Sequence, residues 1–315
     1  MSASMNQAAE RHAVCCIGGM SVDRLLQLHQ PAAVHTSNPV STRFGRGGVA
    51  RNVAENLARL SVSCQLIAVV GDDADGRELV KETAQHGVDT GLVQTSLNQR
   101  TGTYAAAVQP DGDLFAGFAD MDICESMNRD FIRARWLQIS RASIVFADAN
   151  LPKDSLAFLI AGCREQGLPL ILDAVSTVKA RRLPLNLNGV DMLFCNRDEA
   201  RALLGDELAP DPVAMASAIC QRGVRSAVVT AGGEGLACST VAGSIRLPAV
   251  VTEVVDVTGA GDALIAATLY ARLQGFNPVN SLRIGQNGAG LTIASTERNC
   301  PDWSVAAITR GVDQS

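Results

Sequence analysis

The sequence predicts an α/β fold: a doubly wound, mostly parallel sheet carrying a small β insertion. Three observations predict it. Short apolar runs at 13–17, 65–70, 143–147, 169–172, 191–195 and 226–229 each end in polar or glycine-rich residues, as buried parallel strands sharing one functional rim do. Stretches with helical spacing lie between them, the alternation that puts helices on both faces of a sheet. Between 101–108 and 114–118, Pro110, Asp111 and Gly112 supply a hairpin turn that interrupts the alternation.

At 315 residues the chain is long enough for one large α/β domain with a substantial core. Hydrophobic residues make up 47% but aromatics only 4%, so that core is aliphatic and alanine-rich. A net charge of −5 without a basic cluster argues against nucleic acid as a partner. An anionic ligand must then be met locally, by helix ends and loops. Nine cysteines, an odd number with no CxxC pair, read as buried reduced thiols of a cytoplasmic protein rather than disulfides or a zinc site. No uninterrupted apolar run approaches membrane length, so no membrane partner is expected.

Residues 1–12 are polar and read as a disordered tail, with a single domain over 13–315. The first strand runs into Gly18 and Gly19, and Asp23 follows beyond its carboxyl end, where open α/β sheets bind ligands. From 25 to 44 the apolar runs shorten into small strands. Together with 101–118 they form a subsidiary sheet, a lid whose second face gives a reason to dimerise.

GGVARNVAENLARL at 47–60 opens on Gly47 and Gly48 and continues at helical spacing. Asn52 and Asn56 stand one turn apart in it, and asparagine inside a helix prefers a hydrogen-bond partner. Beyond strand 65–70 come a helix at 74–86, an edge strand at 88–94 and the lid hairpin. Helix 128–138, strand 143–147 and helix 153–166 resume the alternation. Residues 236–255 alternate as small strands, and 261–275 and 281–296 are closing helices.

The most informative stretch is Asp256-Val257-Thr258-Gly259-Ala260-Gly261-Asp262, a glycine-rich loop opening onto a long apolar helix. Helix starts carry unpaired N–H groups and partial positive charge, so they attract anions. Asp262 sets a carboxylate beside that anion hole, which costs electrostatic energy unless the acid performs chemistry. No GxxxxGK[ST] occurs, which excludes a P-loop enzyme, and 230–235 is not a GxGxxG opening a helix. A nicotinamide-dependent dehydrogenase is therefore the weaker reading.

These residues carry a resemblance to the ribokinase-like (PfkB) family of sugar and nucleoside kinases. DVTGAGDA at 256–263 resembles its C-terminal signature and the stretch at 47–60 its N-terminal glycine signature. Asn196-Arg197-Asp198-Glu199 is similar to its NxxE motif, and Thr230-Ala231-Gly232-Gly233-Glu234-Gly235 to its TxGxxG nucleotide motif. The resemblance runs from about 13 to 303 and implies a three-layer α/β/α kinase with a β lid, using ATP and Mg²⁺.

It implies that Asp262 is the general base toward a substrate hydroxyl, with Gly259, Ala260 and Gly261 donating N–H bonds to the transferring phosphoryl group. It implies that Asp23, Gly47, Gly48 and Asn52 bind sugar hydroxyls, and that Asn196 and Glu199 organise Mg²⁺ and its waters. Thr230, Gly232, Gly235, Thr258 and Asn287 fall to the nucleotide, and Asp256 with Thr258 to a K⁺ ion. The partners it implies are small: ATP and a nucleoside or sugar, in a homodimer joined through the lid.

Within the family, 38–44, 119–123, 147–150 and 173–176 with Lys179 resemble kinases of pseudouridine more than those of ribose or fructose. A C-nucleoside offers an extra ring N–H, and Asp120, Asp148 and Asn150 are the acceptors expected for it, beside Lys179. Ala174 after Asp173, and Arg46 before the double glycine, depart from the pattern. Kinases of ribose, adenosine, inosine or fructose, and a binding protein without turnover, are the alternatives.

Overall fold

The computed structural model describes residues 12–205, 211–295, 299–300 and 303–313. Of the tail expected at 1–12, residues 1–11 lie outside them, while His12 is held by Ser63 at 2.9 Å and Asp89 at 3.0 Å.

The chain opens with β1 (Val14–Ile17), β2 (Ser21–Leu28), β3 (Val40–Gly47) and α1 (Val49–Arg59). Next are β4 (Cys64–Ile67), β5 (Val69–Gly71), α2 (Ala74–Gln85), β6 (Gln94–Ser96), β7 (Gly102–Val108) and β8 (Leu114–Asp120). The middle holds α3 (Arg129–Ala134), α4 (Trp136–Ile139), β9 (Ile144–Asp148), α5 (Lys153–Gln166), β10 (Leu170–Asp173) and α6 (Thr177–Ala180). It continues with β11 (Met192–Asn196), α7 (Arg197–Leu204), α8 (Pro212–Gln221) and β12 (Ser226–Thr230). Closing the fold are β13 (Leu236–Thr240), β14 (Gly243–Leu247), α9 (Ala260–Leu273), α10 (Pro278–Ile293) and α11 (Val305–Ile308).

The main sheet has the order β14-β13-β12-β11-β10-β9-β1-β4, parallel from β12 to β4 and antiparallel at the β12–β13–β14 end. Alternate side chains of each strand enter two separate cores. Cys16, Phe146 and Phe194 pack toward α1, α9 and α10, while Cys15, Val145 and Leu193 pack toward α5, α7 and α8. Helices on both faces make the three-layer α/β/α architecture that the near-continuous apolar strands require.

Helix α9 is buried at every position from Ala263 to Ala271, as a helix apolar on all sides must be. It packs on α10 at glycine distance. A Cβ at Gly285 would stand 2.2 Å from Thr268 Oγ1 and 2.8 Å from the Leu264 carbonyl. The helix that carries Asp262 is thereby clamped close to its neighbour.

A second sheet, ordered β3-β2-β7-β8, forms the insertion. Its hairpin turn follows the Pro-Asp-Gly signal: Gln109 N–H donates to Asp113 and Gly112 sits at φ 95°. Register aligns Gly45, Asp23, Tyr104 and Ala119 in one row and Phe44, Arg24, Ala105 and Phe118 in the next, on the opposite face.

Several boundaries differ from expectation, among them the closing helix expected at 281–296, which spans Pro278–Ile293. The run at 65–70 splits at Ala68, because β5 leaves the main sheet to pair with β6. The edge strand expected at 88–94 is a single bridge at Asp89, with β6 starting only at Gln94. Helix 128–138 breaks at Arg135 into two short helices. Within 236–255, pairing ends at Leu247, just before Pro248, which has no N–H for a ladder.

Candidate active site

Helix α9 starts on Gly259, whose φ of 83° is the left-handed conformation glycine tolerates, and no side chain caps it. Helices α2, α3, α7, α8, α10 and α11 by contrast begin under side-chain caps. Helix α1 also starts on a glycine, Gly48 at φ 92°, but its first turn is closed. Ala50 N–H donates to Asp148 at 2.9 Å and Arg51 N–H to the Gly19 carbonyl at 3.3 Å. Of these two glycine-capped helices, α9 keeps the more open, anion-attracting end, although its Ala260 N–H donates to the Val257 carbonyl at 3.3 Å.

The loop before α9 is fixed. Asp256 Oδ1 accepts from Thr258 N–H at 2.8 Å, and the N–H groups of Val255 and Asp256 both reach the Ile293 carbonyl. Gly261 faces open space, since a Cβ there would meet nothing within 4 Å.

Asp262 lies in the first turn of α9 and is half-buried. Asn52 Nδ2 donates to its Oδ2 at 2.6 Å. Burial pushes its carboxyl up to about 7, against the Asn52 hydrogen bond and the charge of Arg51; Asp148 adds to the rise. An acid poised near neutrality and presented beside an anion hole can accept a proton from a hydroxyl there.

Asp173, at the end of β10, belongs to the same acidic rim. Burial, then the charges of Glu199 and Asp262, hold its carboxyl well above the usual range. It follows the strand-terminal pattern of the sequence but was not among the expected site residues. Its turn is strained, for Val175 stands at φ 66°, where a β-branched residue is rarely found. Val175 N–H bonds Asp173 Oδ1 at 2.8 Å.

Asp148 requires a correction. It is fully buried and does not present a base-recognising acceptor to the cleft. Its Oδ2 accepts from Gly19 and Ala50 N–H, and its Oδ1 from Asn150 N–H. Burial raises its carboxyl, partly offset by those three backbone bonds. A Cβ at Gly18 would lie 2.4 Å from it. Asp148 therefore seals the start of α1 against the end of β1.

Asn150 is likewise buried, while Lys179 is half-buried on the short α6 and Asp120 is exposed at the end of lid strand β8.

The Asn196–Glu199 pair forms a complete capping box. Asn196 Oδ1 accepts from Glu199 N–H at 2.9 Å, and Glu199 accepts from Asn196 N–H at 2.9 Å and from its Nδ2 at 2.8 Å. Glu199 is 7% exposed, and burial raises its carboxyl. Among the described residues no three His, Cys, Asp or Glu side chains converge as a metal cage. The rim is nevertheless all oxygen and overcharged around Glu199 and Asp173, which suits an ion that keeps its waters, as Mg²⁺ does.

Thr230 pairs with Asn196 across β11–β12, so the NxxE and TxGxxG motifs abut. Arg197 clamps Glu234 of the glycine turn through both terminal nitrogens. Gly232 at φ 57° and Gly235 at φ 92° shape that turn, and a Cβ at Gly235 would collide with the Leu247 carbonyl at 2.1 Å. Asn287, expected on the nucleotide side, gives its amide hydrogens to the carbonyls of Ile308 and Arg310. That corrects its assignment: it anchors the C-terminal segment.

Asp23 is 5% exposed and faces a cleft of about 670 Å³ that Asp256 and Thr258 also line. Gly47 is required opposite it, because a Cβ there would stand 2.0 Å from Asp23 Oδ1. The lid strand β2 and the loop before α9 therefore share one cavity.

A family model described as pfkB family carbohydrate kinase matches residues 11–303. The chain is 29% identical to pseudouridine kinase of Escherichia coli (strain K12) over 309 residues, covering 97% of this chain and 98% of that one. A solved carbohydrate kinase from Agrobacterium tumefaciens is 32% identical with a TM-score of 0.79, covering 94% of this chain and 95% of that one. Arabidopsis thaliana ribokinase complexed with ribose and ATP is 21% identical with a TM-score of 0.79, over 93% and 96% of the two chains.

Proposed function

The chain belongs to the pfkB family of carbohydrate kinases and is a phosphotransferase acting on a hydroxyl group, and on that premise we propose that it transfers the γ-phosphate of ATP to the 5′-hydroxyl of pseudouridine. The observation that carries the chemistry is Asp262 at the uncapped start of α9. Its carboxylate takes the hydroxyl proton as the oxygen attacks the γ-phosphorus, and the bond from that phosphorus to the β–γ bridging oxygen breaks to release ADP. The N–H groups of Gly259, Ala260 and Gly261 meet the charge that spreads over the transferring group. Asp23 accepts from the ribose diol, beside Gly47.

The nucleotide lies along Thr230, Gly232 and Gly235, near Thr258. Mg²⁺ would be held through water by Glu199 and Asn196, where it neutralises phosphate charge. Asp256 and Thr258 would hold a K⁺ ion, which activity in K⁺ against Na⁺ tests. Pseudouridine as acceptor is supported by end-to-end similarity to a kinase of that nucleoside. Nine free cysteines support a reducing, cytoplasmic setting. The exposed row of Phe44 and Phe118 on the lid sheet supports a homodimer through the lid.

ADP release measured with pseudouridine, uridine, adenosine, inosine, ribose and fructose decides the acceptor. Pseudouridine should give the highest kcat/KM. A preference for ribose, fructose or another nucleoside would move the protein to a sibling activity, and no turnover of any would favour a binding protein.

A further inference from the structure

Helix α1 carries a buried charge next to Asn52. Arg51 is completely buried, and every nitrogen of its guanidinium donates. Nε bonds the Gly47 carbonyl at 2.9 Å, and Nη1 bonds Glu55 Oε2 at 2.5 Å. Nη2 reaches the Arg46 carbonyl at 3.2 Å, Asn299 Oδ1 at 3.0 Å and the side-chain oxygen of Asn52. That last contact has a consequence for the catalytic acid. A guanidinium has only donors, so the Asn52 amide must present its oxygen to Arg51. Its Nδ2 is then turned to Asp262 Oδ2, which it meets at 2.6 Å.

We propose that Arg51 is a positioning residue for phosphoryl transfer, fixing the Asn52 amide so that one Asp262 oxygen is held and the other faces the substrate hydroxyl. The proposal deepens the reading of Asp262 as the base and rests on it. Lysine could not replace this function. A single ammonium cannot span Gly47, Glu55 and Asn52 at once, whereas the planar fork does so without adjustment. Without the fork, the Asn52 amide can turn over and set its oxygen against the carboxylate.

The charged groups around the relay come from several elements. Asp262 faces Arg51 from α1, Asp148 from β9 and Asp173 from β10. Arg51 faces Glu55 and Arg46, and Glu55 in turn faces Arg46, Arg59 and His86. Burial pushes Glu55 upward, yet Arg51 first, then Arg46, His86 and the Arg59 hydrogen bond bring it below the usual carboxylate range. It therefore stays an anion that keeps Arg51 in place.

The test is a double-mutant comparison of wild type, Arg51→Lys, Asp262→Asn and the double variant. Single-turnover rates with ATP are read on pseudouridine, or on whichever acceptor the substrate panel selects, with folding checked by circular dichroism and melting. Arg51→Lys should lower kcat on the order of 10- to 100-fold, the scale of losing a fixed geometry, and leave KM for ATP unchanged. It should also move the acidic limb of kcat/KM upward. In the Asp262→Asn background it should cost nothing further.

Wild-type kcat and pH profile in Arg51→Lys, or an equal loss in both backgrounds, would overturn the positioning role. If Asp262→Asn keeps full activity, the base assignment itself fails, which is a separate outcome. Should Arg51→Lys not fold, Glu55→Gln takes its place. It keeps an acceptor for Arg51 but removes the opposing charge, and its kcat loss must likewise vanish in the Asp262→Asn background; persistence there refutes the relay.

Discussion

Asn52 Nδ2 donates to Asp262 Oδ2 at 2.6 Å, joining the first turn of α1 to the first turn of α9. Two glycine-started helices from opposite ends of the chain therefore meet through one amide and one carboxylate. Helix α1 spends its N-terminal donors on Asp148 and Gly19, while α9 leaves its own end open beside the acid.

The first prediction follows from that acid. Asp262→Asn should lower kcat on the order of 10²- to 10⁴-fold, the usual worth of general-base catalysis, with ATP affinity nearly unchanged. In wild type, kcat/KM should rise with pH through about 7, because only the ionised carboxylate accepts a proton. Stability runs the other way. A folded-state value raised above that of the unfolded chain favours the folded protein at low pH, and this advantage is lost as pH rises to about 7. Melting scans should accordingly show Asp262→Asn gaining on wild type as pH increases over that window; a constant offset would contradict the raised value.

The glycines of the loop should separate folding from chemistry. Gly259 has a positive φ, and alanine there costs roughly 1–2 kcal/mol from the left-handed conformation alone. Gly261 is helical and its Cβ would meet nothing, so alanine there should stabilise by about 0.5–1 kcal/mol. The same methyl would stand in the space the transferring phosphoryl group needs. Gly261→Ala should thus melt no lower than wild type while kcat falls, and a variant with unchanged kcat would remove Gly261 from the site.

Across the cleft, Gly47→Ala should act as a disguised substitution of Asp23. The added methyl would lie 2.0 Å from Asp23 Oδ1, too close for either to stay. Acceptor KM should rise about as much in Gly47→Ala as in Asp23→Asn, and the two changes should not add. Independent effects would mean that Asp23 holds no hydroxyl there.

Much of the fold was legible because most parallel strands of the main sheet are apolar runs stopped by a polar or glycine residue, and the NxxE and TxGxxG motifs sit at such stops. Asn196 and Thr230 were found for that reason, and Asp262 because a glycine-rich loop opens an apolar helix there. Asp148 misled because a strand-terminal acid looks alike whether it faces a ligand or three backbone N–H groups; the Gly18 that makes room for it is the only local hint. Asn287 misled similarly, since an asparagine on a helix does not announce which carbonyl it serves. Arg51 escaped notice because a buried arginine is recognisable only once Glu55, Asn52 and the distant Asn299 surround it. The break at Ala68 was hidden because β5 continues the apolar run of β4 while changing sheet.

The lid offers the last test. Register places Phe44, Arg24, Ala105 and Phe118 side by side on the face opposite Asp23 and Tyr104. Phe44 is 70% exposed and Phe118 61%, with Arg24 lying 5.5 Å over the Phe44 ring. Two aromatic rings in one row are more apolar surface than a lid strand needs if it only covers substrate. If a second copy covers them, Phe118→Asp should convert a dimer to a monomer in sedimentation equilibrium. Because Phe118 lies on the other face of the lid sheet from Asp23 and is not among the residues lining its cleft, single-turnover phosphorylation in the monomer should continue at near the wild-type rate once substrate saturates. A wild-type chain that sediments as a monomer at all concentrations would leave the row without its proposed occupant.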